Sequence, residues 1–121
     1  MKVSWIFLFL GVVFLFIGSP VTAQDAVQVD SKHYKVEFEN DQVRVLRITY
    51  GPHEKSNMHD HPDAVAVSLT GQSVKFTLAD GKSEEREMKA GQTLWTPATK
   101  HLPENLSDHA MEVILVELKK K

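Results

Sequence analysis

The chain has no cysteine. That excludes disulfides, thiolate metal ligands, cysteine nucleophiles and a lipid-modified cysteine anchor. Neither sign of charge dominates, since 14 Lys and Arg stand against 16 Asp and Glu, a net charge of −2 with His neutral. Without a strongly basic surface, no nucleic-acid partner and no strong anionic-lipid partner are expected. Sustained apolar periods of 3.6 residues are missing beyond the N-terminal region, so no helix of appreciable length is expected there. Repeats, low-complexity tracts and linkers are missing too, and 121 residues leave room for one domain with one modest core.

The single long hydrophobic run lies at the start. Lys2 supplies a positive charge, Trp5 to Ile17 is almost unbroken apolar sequence, and "GSPVTAQ" closes it with small residues. This is the pattern of a secretory signal peptide, residues 1–23, cleaved after Ala23. The run is short for a bilayer core, which needs about 20 residues, so the mature form is not expected to be membrane-embedded. Export to a periplasm or to the outside follows. Cleavage removes Lys2 alone among charged residues, taking the net charge from −2 to −3. A small exported domain without disulfides needs other support, and a compact β core, a bound metal or a homodimer would each provide it.

From Tyr34 onward, short alternating runs are split by turn signals, which predicts an all-β sandwich or barrel. "YKVEFEN" and "QVRVLRITY" read as the first two strands, the second with a bulge or with both faces covered. "AVAVSLT" places Ala64, Ala66 and Ser68 on one face and Val65, Val67 and Leu69 on the other. "SVKFTL" and "SEEREM" flank an Asp80-Gly81 hairpin turn. "TLWT" is a short strand stopped by Pro97, with Trp95 expected in the core or a pocket wall. "ATKHLPENLSDH" reads as a loop, and "AMEVILVEL", apolar on both faces, as a strand central to a sheet.

"NMHDHPDAVAVSL" raises the question of function. On an extended strand His59 and His61 project to the same side, close enough for both imidazoles to reach one ion. Pro62 holds His61 out of the helical region and ends the strand. A distant third histidine, His101, lies in "GQTLWTPATKHLPEN". His53 sits in a turn and tolerates left-handed backbone; His33 and His109 border charged loops and are expected to be solvated. Ala64, Ala66 and Ser68 either leave space for a ligand beside an ion or pack a tight sheet.

Gly51 to Gly71 and Gly91 to Asn105 resemble the two sequence motifs of the cupin superfamily, small barrels of double-stranded β-helix (jelly-roll) form. His59 and His61 match the HxH pair, Gly71 its closing glycine, Gly91 and Pro97 the second opening, His101 the last ligand and Asn105 the asparagine. The resemblance implies a single cupin domain over residues 24–121 and one divalent transition metal shared by His59, His61 and His101. Fe(II) is favoured, with Mn(II), Ni(II), Cu(II) or Zn(II) as substitutes. The glutamate of the first motif is missing, and its place falls on Ala64. Asp63 is the lesser candidate for a fourth ligand; the favoured reading has three histidines alone, with open positions for water or substrate. Glu104 and Asn105 are either partners orienting His101 or plain turn residues. The resemblance leaves two functions open: a small metal-dependent dioxygenase, or a non-enzymatic module binding metal or a small molecule. It also makes a homodimer an expectation, though no sequence feature identifies the interface.

Overall fold

The computed structural model describes residues 24–121; the expected signal peptide, residues 1–23, lies outside them. One helical turn, α1 (Ala26–Val29), precedes nine strands: β1 (Tyr34–Glu39), β2 (Val43–Tyr50), β3 (His59–His61), β4 (Ala64–Ser68), β5 (Gln72–Leu78), β6 (Ser83–Met88), β7 (Thr93–Thr96), β8 (Thr99–Asn105) and β9 (Met111–Leu118). They form a five-stranded sheet in the order β1-β2-β9-β4-β7 and a four-stranded sheet in the order β3-β8-β5-β6, with every strand pairing antiparallel. The architecture is all-β, two sheets face to face, as alternating runs without helical period require. Among the described residues no helix is long and apolar enough to cross a membrane.

Period-2 alternation sorts the side chains. Leu46, Ile48 and Tyr50 of β2, Ala64 and Ala66 of β4, and Met111, Val113 and Leu115 of β9 point inward and are buried. Leu46 is fully enclosed. Leu46→Ala is therefore expected to lower the unfolding free energy by about 3 kcal/mol, seen as a lower urea midpoint at unchanged slope.

Turn chemistry places the connections. Gly81 follows Asp80 at φ 86° in the β5–β6 hairpin, a left-handed backbone that glycine adopts without penalty. His53 takes φ 58° in an exposed turn, where its Nε2 meets Asp108 Oδ1 at 2.7 Å.

Four expectations need correction. The bulge lies in β1, between Val36 and Phe38, rather than in β2. "TKHLPEN" is not part of a loop but β8, paired on both sides. Pro103 is tolerated there because its backbone faces the β3 side, where its carbonyl accepts Ser56 N–H beyond the end of β3, so no ladder donor is lost to β5. His33 is buried, stacked on Tyr50 with ring centroids 4.3 Å apart and held by Asp30 Oδ2 at 2.7 Å from Nδ1. Trp95 is 56% exposed and lies on the outside of the five-stranded sheet.

Candidate metal centre

β3 is three residues long because Pro62 follows it, and its burial runs buried, intermediate, buried. His59 and His61 thus turn into the barrel while Asp60 turns away to accept Gln24 N–H at 2.8 Å. β8 runs alongside in a register that sets His101 directly opposite His59. The three imidazoles meet with ring centroids 4.7, 5.0 and 5.3 Å apart and interplanar angles of 82°, 90° and 76°. Nearly perpendicular rings present three edges to one point rather than stacking on each other. One nitrogen from each ring lies within 4.8 Å of the others. Three nitrogens on one ion stand about 3 to 4 Å apart, a difference within the reach of small ring rotations.

The other ring nitrogens explain the orientation. His59 Nδ1–H donates to the carbonyl of Asn57 at 2.8 Å, and His61 Nδ1–H donates to Glu117 Oε2 at 2.8 Å. Both partners can only accept, so each ring is held in the tautomer whose Nε2 carries a lone pair. The Nε2 atoms of His59 and His101 are buried and have no hydrogen-bond partner. His101 is steadied instead by Phe76, against which it stacks at 5.2 Å.

Glu117 is the residue that sequence reasoning missed. It is 2% exposed, and besides His61 it accepts from Arg44 Nε at 2.7 Å, while Arg44 also pairs with Asp25. Burial pushes its carboxyl upward, but the hydrogen bonds from His61 and Arg44 outweigh burial and hold it below its ordinary value. Its signal was present in "AMEVILVEL": Met111, Val113, Leu115 and Glu117 share one face at period 2, so an acid stands in line with three core residues. It is also the cross-strand neighbour of Ala64, where the resemblance puts an acid. A carboxylate thus stands on the neighbouring strand, where it holds His61 at Nδ1.

The remaining candidates fall outside the cluster. Asp63 Oδ1 accepts Ala98 N–H at 2.8 Å, tying the β3–β4 turn to the β7–β8 turn. Asn105 makes no hydrogen bond to His101; its buried amide donates to the carbonyls of Gly51 and His109 and clamps two loops. His109 is exposed, and His33 bonds to Asp30 and Glu54.

Beside the histidines is a cavity of about 90 Å³. His61 and His101 form one wall, Ala66, Met111, Val113 and Leu115 come from the five-stranded sheet, and Val74 and Phe76 from the other. Small Ala66 leaves part of this space. Phe76, Arg86, Thr96, Thr99 and His101 also border a second, adjoining pocket of about 200 Å³, which Glu84 lines as well.

Burial, and then repulsion from His61, lowers His59 to about 4; burial, and then His61 and His59, lowers His101 to about 3. The unfolded imidazoles titrate near 6.5. Below that value the unfolded chain binds protons that the folded chain refuses, so stability of the metal-free protein is full above about pH 6.5 and falls toward pH 4. Urea midpoints across this range are expected to drop in the native sequence and to drop less in His101→Phe.

No family model and no curated protein matches this chain. Solved structures do. A cupin domain from Bordetella pertussis Tohama I aligns at a TM-score of 0.68 and 24% identity, covering 72% of this chain and 92% of that one. An RmlC-like cupin family protein with a double-stranded β-helix fold from Methanocaldococcus jannaschii aligns at 0.55 and 19%, covering 74% and 83%. A protein with a double-stranded β-helix domain from Klebsiella pneumoniae aligns at 0.56 and 18%, covering 70% of each chain. The chain described here has the cupin fold, and inside its barrel lies a cluster of three histidines that could hold a divalent metal.

Proposed function

We propose that this protein is an exported metal-dependent dioxygenase that holds one divalent transition ion, Fe(II) by preference, on His59, His61 and His101. The observation that carries the reading is the pair of buried, unpartnered Nε2 atoms on His59 and His101. A buried nitrogen without a partner costs stability unless something occupies it. Three imidazoles also leave positions open, unlike a closed four-ligand structural site. When bound, such an ion supplies Lewis acidity and redox chemistry beside the cavity.

The chain's own part is to position and to exclude water. His61 is aimed by Glu117, and Arg44 keeps that carboxylate ionised and occupied. The cavity walls accept a compact apolar portion of a substrate, while Thr96, Thr99 and the paired Arg86 and Glu84 offer polar groups in the adjoining pocket. No carboxylate lines the cavity, so the site is suited to substrates that coordinate through their own acidic oxygen or sulfur. That same observation favours a second reading, a non-enzymatic binding module.

Anaerobic loading with Fe(II), followed by oxygen-uptake measurements with enediol, flavonol and thiol compounds, separates the two. Uptake that needs both the metal and one substrate class, and that disappears in His101→Ala, is the expected result. A fully loaded protein that consumes no oxygen with any of them would overturn the dioxygenase reading and leave the binding module.

A further inference from the structure

β3 lies at the edge of the four-stranded sheet and pairs with β8 on one side only. Two of the three clustered histidines ride on it, so their geometry is only as firm as that open edge. Residues 24–30 cover it. Asp60 N–H donates to the carbonyl of Gln24 at 2.7 Å, and Asp25 forms a parallel bridge with Asp60. The side chain of Asp60 meets the same residue, its Oδ2 accepting the backbone N–H of Gln24 at 2.8 Å. Further along, the covering segment is fastened elsewhere: Asp25 pairs with Arg44, Ala26 is buried, and the side-chain amide of Asn57 donates to the carbonyl of Val29 at 3.1 Å. Gln24 is thus the residue whose backbone meets β3 midway between His59 and His61.

Gln24 is also the residue that cleavage after Ala23 leaves first in the chain. Before cleavage its nitrogen is a neutral amide. Afterwards it is an ammonium, whose ordinary pKa of about 7.7 to 8.0 keeps it largely charged at neutral pH. Set against a carboxylate, such a nitrogen makes a charge-assisted hydrogen bond, stronger than the neutral one. The carboxylate already stands at the nitrogen, so the gain needs no rearrangement.

We propose that removal of residues 1–23 tightens the metal centre, through an ion pair between the freed α-ammonium of Gln24 and Asp60 that clamps the edge of β3. This ion pair, which presupposes the export and metal readings above, sets an order of events. The ion is held best after processing, in the compartment where the mature chain arrives, and metal availability there decides which ion the histidines take. An edge strand can also be covered merely to keep it from pairing with other chains. A cover of that kind needs neither an acid between the two histidines nor a nitrogen that changes its charge.

The full chain, exported by its own leader, is compared with a variant in which two serines are inserted after Ala23. The insertion keeps Gln24 and its N–H but moves the ammonium two residues upstream. Intact mass first establishes that each exported chain has lost residues 1–23. Competition titration with a chromophoric chelator is then expected to give metal affinity about 5-fold tighter for the native chain, the upper end for an exposed ion pair. In the metal-free proteins the Asp60 amide hydrogen is expected to exchange about 5-fold more slowly in the native chain, a readout independent of the ion. Asp60→Asn is expected to erase both differences, leaving native and inserted chains alike to within about 2-fold. Equal affinity and equal exchange in two cleaved chains would overturn the proposal alone. So would a cyclised Gln24, its nitrogen bonded to its own side-chain carbonyl carbon with loss of ammonia, because that nitrogen carries no charge. A chain that keeps residues 1–23 would overturn the export reading as well. Slower exchange in the native chain with no metal bound by either would sink the metal reading, and the tightened centre with it.

Discussion

His101→Ala is expected to weaken divalent-metal binding by more than about 100-fold, beyond what losing an outer hydrogen-bond partner of a ligand costs. The ring comes from β8, on a different segment from the HxH pair, and supplies one of the two unpartnered buried nitrogens. Without it two imidazoles remain, and two ligands on one short strand seldom retain an ion against competing chelators. Competition titration with a chromophoric chelator measures the change. Because His101 stacks on Phe76, truncation also opens space in the wall of the cavity. His101→Phe fills that space without a ligand atom, so equal loss of metal in both variants separates coordination from packing. Metal affinity unchanged in both would remove His101 from the site.

The second large effect concerns Glu117. Glu117→Ala is expected to lower metal affinity about 10- to 100-fold, because His61 loses the acceptor that fixes its ring and tautomer. It is also expected to destabilise the metal-free fold by about 3 kcal/mol, because breaking a buried ion pair leaves a charge without its partner. Arg44 keeps its bonds to Asp25, which places the loss at the lower end of the range for buried pairs. Glu117→Gln keeps the shape and one acceptor oxygen, so it should restore most of the metal affinity while recovering less of the stability. Asp25→Asn removes a more exposed partner of Arg44 and is expected to leave metal affinity almost unchanged. Isothermal titration and urea unfolding on the same four proteins check both effects. Equal metal affinity in Glu117→Ala and the native protein would show that His61 does not depend on the carboxylate.

How much of this could be read from the sequence depended on how local each cause was. The HxH pair was legible because period 2 and a following proline are local facts that set two side chains on one face. The inward face of β4 was legible for the same reason. β8 was misread because Pro103 and Asn105 are turn residues by composition, whereas the strand survives by directing its proline away from β5. His33 was read as solvated from its charged neighbours; the bond to Asp30 three residues before it is local, but the stack on Tyr50 that helps bury the ring is not visible in a linear window.

Glu117 is the instructive case. Its strand was correctly placed in the middle of a sheet, yet its apolar residues on both faces drew attention from the one acid in phase with the core. The pairing of Ala64 with Glu117 connects the two halves of the problem: the position that lacks its acid lies across from a strand that carries one. Sheet register, which no single strand encodes, was needed to see it.

The central claim is that His59, His61 and His101 hold one ion together. Metal content per chain, determined on protein purified from its own host without chelators, tests it most directly. One divalent transition ion per chain is predicted, absent from the variant in which all three histidines are replaced by alanine. A native protein that neither carries nor takes up an ion, or a triple variant that keeps it, would contradict the account.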